Sequence, residues 1–130
     1  MVRCDGEPVP ESRVKAVVLV VEDEVLVRMM MADKLRDEGY LVIEAATGDE
    51  ALQVLRHNSV DVQVIVTDVR MPGAIDGLGL AREVRSRHPL IKIVLTSAHL
   101  PKHLPVDHDG FFAKPYDPAT IISHIKTLLD

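Results

Sequence analysis

Polar side chains follow several short apolar runs of this 130-residue chain, at the point where each run ends. Acids, hydroxyls and a lysine together could bind a hard divalent cation and support nucleophilic or group-transfer chemistry, provided that the fold brings them together. The residues in such positions are Glu22, Asp23, Asp68, Thr96, Ser97 and Lys114.

The apolar runs themselves are short and rich in β-branched residues, which predicts buried strands. We expect strands over residues 16–21, 41–45, 62–67, 91–96 and 111–113. Segments with helical period lie between them, over residues 24–38, 49–56 and 78–87, and a last helix follows the N-cap Asp117. In the first helix Leu26, Met29 and Met30 belong to an apolar face, and we expect the run Met29–Met31 to pack in the core. Alternating strands and helices predict an α/β domain with a parallel sheet and right-handed crossovers.

Parallel strands bring their carboxyl ends to one edge of the sheet, where ligands bind in doubly wound folds. Acids that converge there repel one another unless a cation neutralises them, and Mg²⁺ prefers such oxygen ligands. A lysine and a hydroxyl can stabilise the charge of a transferred phosphoryl group. The pattern therefore predicts phosphoryl transfer to an aspartate. Taken one at a time, the same residues are ordinary charges at a solvated rim.

The segment from residue 98 to residue 110 departs from the alternation. Pro101 and Pro105 lie where a crossover helix is expected, and an interior proline costs about 3 kcal/mol or more. We predict a loop with at most one helical turn. His99, His103 and His108 lie in this segment, and we favour solvated histidines over a zinc site because nothing fixes their geometry.

Composition excludes several classes of function. A net charge of −5 without a basic stripe argues against direct nucleic-acid binding. The single cysteine, Cys4, provides no disulfide framework, and no apolar run reaches the roughly 18 residues of a membrane span. Residues 1–14 carry charges where a secretory signal is apolar. We interpret them as a flexible leader before a domain of residues 15–130, and we expect a cytoplasmic protein.

Four motifs in this order resemble those of two-component response-regulator receiver domains of the CheY-like type. The matching segments are Val20–Glu24, Val66–Gly73, Thr96–Ala98 and Phe111–Tyr116. The resemblance implies a three-layer, flavodoxin-like, doubly wound fold whose five parallel strands have the order 2-1-3-4-5, with the fourth helix shortened or replaced by a loop. It also implies a single-domain receiver, because the sequence ends with the last helix.

The resemblance further implies that Asp68 accepts a phosphoryl group with the help of Mg²⁺. Lys114, with its peptide bond to Pro115 held cis, would pair with a phosphoryl oxygen. The implied Mg²⁺ ligands are Glu22, Asp23, Asp68 and the main-chain carbonyl of Arg70.

Three further roles follow from the resemblance. Ser97 would hydrogen-bond a phosphoryl oxygen, with Thr96 as the less favoured alternative. Phe111 would change rotamer together with that hydroxyl, although a simple core phenylalanine is an equal alternative. Arg70 and His99, each two residues past a site residue, would tune the access of water and hence dephosphorylation.

The implied function is that of a phosphoacceptor signalling domain rather than a turnover enzyme. Its partners would be a sensor histidine kinase or phosphotransfer protein and a downstream protein target. One alternative is a pseudo-receiver that binds partners without phosphorylation. Another is a phosphatase of the haloacid-dehalogenase type, which needs a second acid two residues after the nucleophile, where this chain has Arg70.

Overall fold

The computed structural model describes residues 16–57, 61–99 and 105–130. Five strands and four helices lie in these ranges: β1 (Val17–Val21), α1 (Val25–Asp37), β2 (Leu41–Ala45), α2 (Gly48–Arg56), β3 (Val64–Asp68), α3 (Gly77–Arg87), β4 (Lys92–Ser97), β5 (Gly110–Ala113) and α4 (Pro118–Leu129). The boundaries predicted from the sequence agree with these within two residues. The leader, residues 1–14, lies outside the described residues.

The five strands form one parallel sheet with the order β2-β1-β3-β4-β5, as the resemblance implied. The register pairs Val21 with Thr67, Asp68 with Thr96, and Ser97 with Ala113. Four strands therefore end at the same height, and the polar residues that follow them share one edge of the sheet.

Helices cover both faces of the sheet. Residues of α2 and α3 pack in one aliphatic cluster around Leu19, Ile65 and Leu95. Residues of α1 and α4 pack in a second cluster around Val18 and Val94. The three-layer, doubly wound arrangement is confirmed, and burial of each large aliphatic side chain contributes about 1.5–3 kcal/mol.

Capping residues mark the ends of several helices. Asp117 accepts a hydrogen bond from the backbone N–H of Ala119, which confirms the predicted N-cap. Thr47 and Asp76 cap α2 and α3 in the same way, and each such cap is worth about 1 kcal/mol. Gly39, with φ of 95°, follows the end of α1 because glycine adopts this conformation without steric cost.

The predicted inner face of α1 was wrong for Leu26, Met29 and Met30, whereas the predicted packing of Met31 is confirmed. Leu26 is 79% exposed and Met29 and Met30 are each 47% exposed, whereas Met31, Ala32 and Leu35 are buried. The helix has apolar residues on two sides, so its periodicity alone does not decide which side meets the sheet. One consequence is an exposed apolar surface, which we call the α1 face and define as Val25, Leu26, Met29 and Met30.

The connection between β4 and β5 contains no helix in residues 98–99 and 105–109, and residues 100–104, including Pro101 and His103, lie outside the described residues. Side chains hold its last part in place. Asp109 accepts hydrogen bonds from the N–H of Ile93 (2.8 Å) and from Arg85 of α3 (2.9 Å). A ring nitrogen of His124 on α4 lies 2.7 Å from the Asp109 carbonyl oxygen. These contacts tie the start of β5 to its neighbours.

Candidate functional site

Three acids meet at the carboxyl edge of the sheet. Glu22 and Asp23 follow β1, and Asp68 ends β3 beside it. One carboxylate oxygen of each lies within 4.8 Å of the others. Glu22 and Asp68 are buried, whereas Asp23 is exposed, so the cluster opens to solvent on one side.

Lys114 joins two of these acids from the end of β5. Its ammonium donates hydrogen bonds to Glu22 Oε1 (2.7 Å) and to Asp68 Oδ2 (2.9 Å). Only 15% of the lysine side chain is exposed, with 5% for Glu22 and 10% for Asp68. The backbone N–H of Lys114 also donates to the carbonyl oxygen of Ser97, which fixes where the lysine leaves the sheet.

The charges of the site are unbalanced. The pKa of Glu22 is raised from 4.5 to about 7, chiefly because the carboxyl group is buried; the hydrogen bond from Lys114 lowers this pKa and the nearby Asp68 carboxylate raises it. Burial of Lys114 favours its neutral form, but its bonds to Glu22 and Asp68 outweigh this effect and raise the lysine pKa. The ammonium therefore stays charged, and one cation faces three carboxyl groups.

The donor set fits a hard divalent cation. Glu22 Oε2 is buried and has no hydrogen-bond partner among the described residues, an arrangement that is costly for a carboxylate. Carboxylate oxygens at this spacing are ligands that Mg²⁺ prefers, and the open side leaves room for water or phosphate oxygens. Within the described ranges, Glu22, Asp23 and Asp68 are the group whose ligand atoms converge in this way.

The predicted hydroxyl and loop residues surround this cluster. Ser97 and Thr96 are both buried, and Ser97 Oγ accepts a hydrogen bond from the backbone N–H of His99 (3.1 Å). Arg70 is exposed, and its N–H lies 3.4 Å from Asp68 Oδ1. His99 is exposed as well, so both residues predicted to tune dephosphorylation lie at the surface.

Phe111 is half-buried against the cluster formed with α2 and α3. Leu95 pairs with Phe111 in the sheet and belongs to the same cluster. Alternation along β4 puts Ser97 on the same face as Leu95, and Thr96 on the opposite face with Val94. Ser97, rather than Thr96, therefore lies on the same face of the sheet as Phe111. The Lys114–Pro115 peptide bond is cis, as the resemblance implied.

Two residues that the sequence did not single out help to build the site. Gly77 begins α3 directly against the end of β3, where a Cβ atom would overlap the carbonyl oxygen of Asp68. Arg28 of α1 donates to the carbonyl oxygen of Glu22 at 2.8 Å. The sequence around Gly77 does not show that this residue lies against β3, and the sequence around Arg28 does not show its bond to Glu22. Both contacts join separate elements, which local patterns do not encode.

The chain belongs to the response regulator receiver domain family, whose model matches residues 18–126. It is 39% identical over 120 residues to the sensor kinase CckA of Brucella abortus (strain 2308), a match that covers 88% of this chain and 13% of the kinase. The chain spans 45–48% of the length of several transcriptional regulators that it also matches.

Solved receiver structures have the same fold. A response regulator receiver protein of Sinorhizobium medicae WSM419 aligns with a TM-score of 0.79 and 28% identity, over 88% of this chain and 94% of that one. TrrA of Thermotoga maritima, solved in complex with Mg(2+)-BeF, aligns with a TM-score of 0.75 and 30% identity, over 87% and 98%. The family and fold thus define a phosphoacceptor signalling domain. None of the helices in the described part of the chain is long and apolar enough to cross a membrane.

Proposed function

We propose that this domain receives a phosphoryl group on Asp68 from a histidine kinase or phosphotransfer protein, and that phosphorylation changes which protein it binds. The observation that carries the proposal is the position of Asp68, 2.9 Å from the Lys114 ammonium and inside a three-acid cluster. A receiver of this kind consumes the donor once per adduct and is not a turnover enzyme. A cytoplasmic location and a leader over residues 1–14 stay predictions.

In the transfer, a carboxylate oxygen of Asp68 forms a bond to phosphorus while the bond from phosphorus to the donor's imidazole nitrogen breaks, and the nitrogen keeps the electron pair. Mg²⁺, held by Glu22, Asp23, Asp68 and the carbonyl of Arg70, would neutralise charge on the phosphoryl oxygens. Lys114 has three N–H donors and can turn one of them toward the new phosphoryl oxygen.

Ser97 is suited to bind a further phosphoryl oxygen. The N–H of His99 occupies one acceptor site of the Ser97 hydroxyl, and among the described residues no acceptor is bonded to its O–H, which can therefore donate to a phosphoryl oxygen. The same bond ties the His99 backbone to the hydroxyl. Movement of Ser97 toward a phosphoryl group would therefore be felt directly by the connection between β4 and β5, which we propose as the route to the output surface.

We test the acceptor by incubating the protein with Mg²⁺ and acetyl phosphate and measuring its intact mass. The wild type should gain one phosphoryl group, and so should Asp61→Asn, whose exposed carboxylate lies away from the site. Asp68→Asn should gain none. Continuous hydrolysis of the donor without an adduct would favour a phosphatase, and no reaction by the wild type would favour a pseudo-receiver.

The partner interaction has a separate test on the α1 face. Apolar side chains beside an open site are suited to contact a protein donor, since exposed apolar patches mark interaction surfaces. Leu26→Gln should slow transfer from any autophosphorylated histidine kinase that phosphorylates the wild type, and leave the reaction with acetyl phosphate unchanged. Leu90→Gln is the control, because Leu90 is 91% exposed before β4, at the opposite edge of the sheet. Equal effects of both changes would refute this docking site.

The tuning residues act on the lifetime of the adduct. Arg70 and His99 flank the site at the surface, where their side chains can control the approach of water to the acyl phosphate. We expect Arg70→Ala and His99→Ala to change the first-order decay of the adduct more than its formation. Intact mass recorded over time after removal of donor measures both rates. Unchanged decay in both variants would show that the assignment is wrong.

A further inference from the structure

Arg28 connects three parts of the fold beside the acid cluster. It belongs to α1, and only 17% of its side chain is exposed. Nη1 donates to the carbonyl oxygen of Glu22 at 2.8 Å, and Nε donates to Glu44 Oε1 at 3.3 Å. A guanidinium held at two points of its planar fork has little freedom to move.

The second partner, Glu44, is itself held in place. It lies on β2, and its Oε2 accepts a hydrogen bond from Arg36 at 3.2 Å. Arg36 also donates to the carbonyl oxygen of Val42 at 3.1 Å. Two arginines of α1 thus bind one carboxylate of β2. Among the described residues, Arg28 is the one of the two that also bonds to the turn between β1 and α1.

Hydrogen bonds hold the backbone of Glu22 on both sides of its Cα atom. Its N–H donates to the carbonyl oxygen of Ala45 at 3.0 Å, and its carbonyl oxygen accepts from Arg28. This carbonyl belongs to the peptide that joins Glu22 to Asp23. Its orientation therefore sets the direction in which the two carboxylates leave the backbone.

We infer that Arg28 is a positioning residue for the cation site: it orients the Glu22–Asp23 peptide so that both carboxylates face Asp68. The inference rests on the proposed function, because it assigns Arg28 to the Mg²⁺ site described there. Arg28 contacts neither the cation nor the phosphoryl group in this assignment. It acts through the backbone, with Glu44 as the counter-charge that holds it.

A purely electrostatic role of Arg28 and a positioning role predict opposite effects of its removal on Mg²⁺ affinity. Removal of a positive charge near three carboxylates strengthens their attraction for a divalent cation. Loss of positioning weakens binding, because the ligands are no longer held in the octahedral arrangement that Mg²⁺ requires. The sign of the change in affinity therefore distinguishes the two roles.

The experiment compares Arg28→Met with the matched control Arg36→Met by calorimetric titration of the full chain with MgCl₂. Loss of an outer-shell partner typically costs about 10- to 100-fold in metal affinity, so we expect the Kd for Mg²⁺ to rise about tenfold in Arg28→Met. Arg36→Met should stay close to the wild type. Arg28→Lys, which keeps one donor for the Glu22 carbonyl, should lie between the wild type and Arg28→Met.

Amide NMR shifts of metal-free protein provide the second measurement. Arg28→Met should move the Asp23 amide resonance, and Arg36→Met should not. An unchanged or lower Kd for Arg28→Met, or an unmoved Asp23 resonance, would overturn the inference. Failure of the wild type to bind Mg²⁺ while the Asp23 resonance still moves would instead refute the proposed cation site, and leave Arg28 as an anchor of the β1–α1 turn.

Discussion

Replacing Lys114 with methionine removes the ammonium that joins Glu22 and Asp68 and keeps most of the apolar stem. The wild-type ammonium bonds both carboxylates at 2.7 and 2.9 Å, and the three side chains are at most 15% exposed. Removing one partner of a buried ion pair typically costs 3–5 kcal/mol. Water reaches this cluster from the open side, so we expect the lower end, about 3 kcal/mol of unfolding free energy.

The matched control is Lys126→Met. Lys126 pairs with Glu38 at 3.1 Å, but both side chains are 45% exposed, and such a surface pair contributes about 0–1 kcal/mol. Each variant loses one positive charge, so the difference between their losses of unfolding free energy measures the effect of burial.

Urea unfolding followed by circular dichroism measures both variants, first in EDTA and then with Mg²⁺. A bound cation can replace the missing ammonium, and a ligand at 100 times its Kd stabilises the folded state by about 2.7 kcal/mol. Mg²⁺ should therefore recover most of the loss in Lys114→Met. If Lys114→Met in EDTA loses no more stability than Lys126→Met, the buried ion pairs of Lys114 do not stabilise the fold as inferred from their geometry.

Three further predictions concern the scaffold. Gly77→Ala should cost about 3 kcal/mol in urea unfolding, because the added methyl group overlaps the carbonyl oxygen of Asp68, whereas Gly79→Ala, which meets a side chain instead of backbone, should cost less. Asp109→Asn should destabilise the protein at neutral pH. Burial raises the pKa of Asp109, but its hydrogen bonds outweigh burial and lower that pKa from the ordinary 3.8, so its stabilisation is present above pH 3.8 and lost as the pH falls through the lowered value. Unfolding curves of both proteins should therefore converge in acid, and a constant difference would contradict the assignment. Ile125→Ala, at a fully buried position of α4, should lower the unfolding free energy by about 2–5 kcal/mol, and a smaller loss would show that the helix is loosely packed.

Local sequence patterns were enough to predict the sheet and the polar edge. The strands are mostly apolar runs of four to six residues between turn signals, and near-continuous apolar runs are typical of the buried strands of a parallel sheet. The acids, the hydroxyls and the lysine follow those runs directly. With the strand order that the resemblance to receiver domains implied, Glu22, Asp68 and Lys114 were expected at the same edge of the sheet.

Other features depend on which surfaces come together, and no local pattern encodes that. The first helix carries apolar residues on two sides, and only packing against the sheet showed that Met31 and Leu35 turn inward while Leu26 stays exposed. The hydrogen bond from Arg28 to the Glu22 carbonyl likewise depends on how α1 lies beside the turn that precedes it.

The sequence by itself therefore determined the class of fold, the edge where chemistry occurs and the identity of most residues there, because these follow from periodicity and from where strands end. Tertiary structure decided the charge balance of the site, since the pairing of one lysine with two buried acids and the unpartnered oxygen of Glu22 depend on burial and distance. It also decided the contact that fixes the Glu22–Asp23 peptide. Those interactions act between separate elements of the chain. Their strength depends on how far the folded protein excludes water from them.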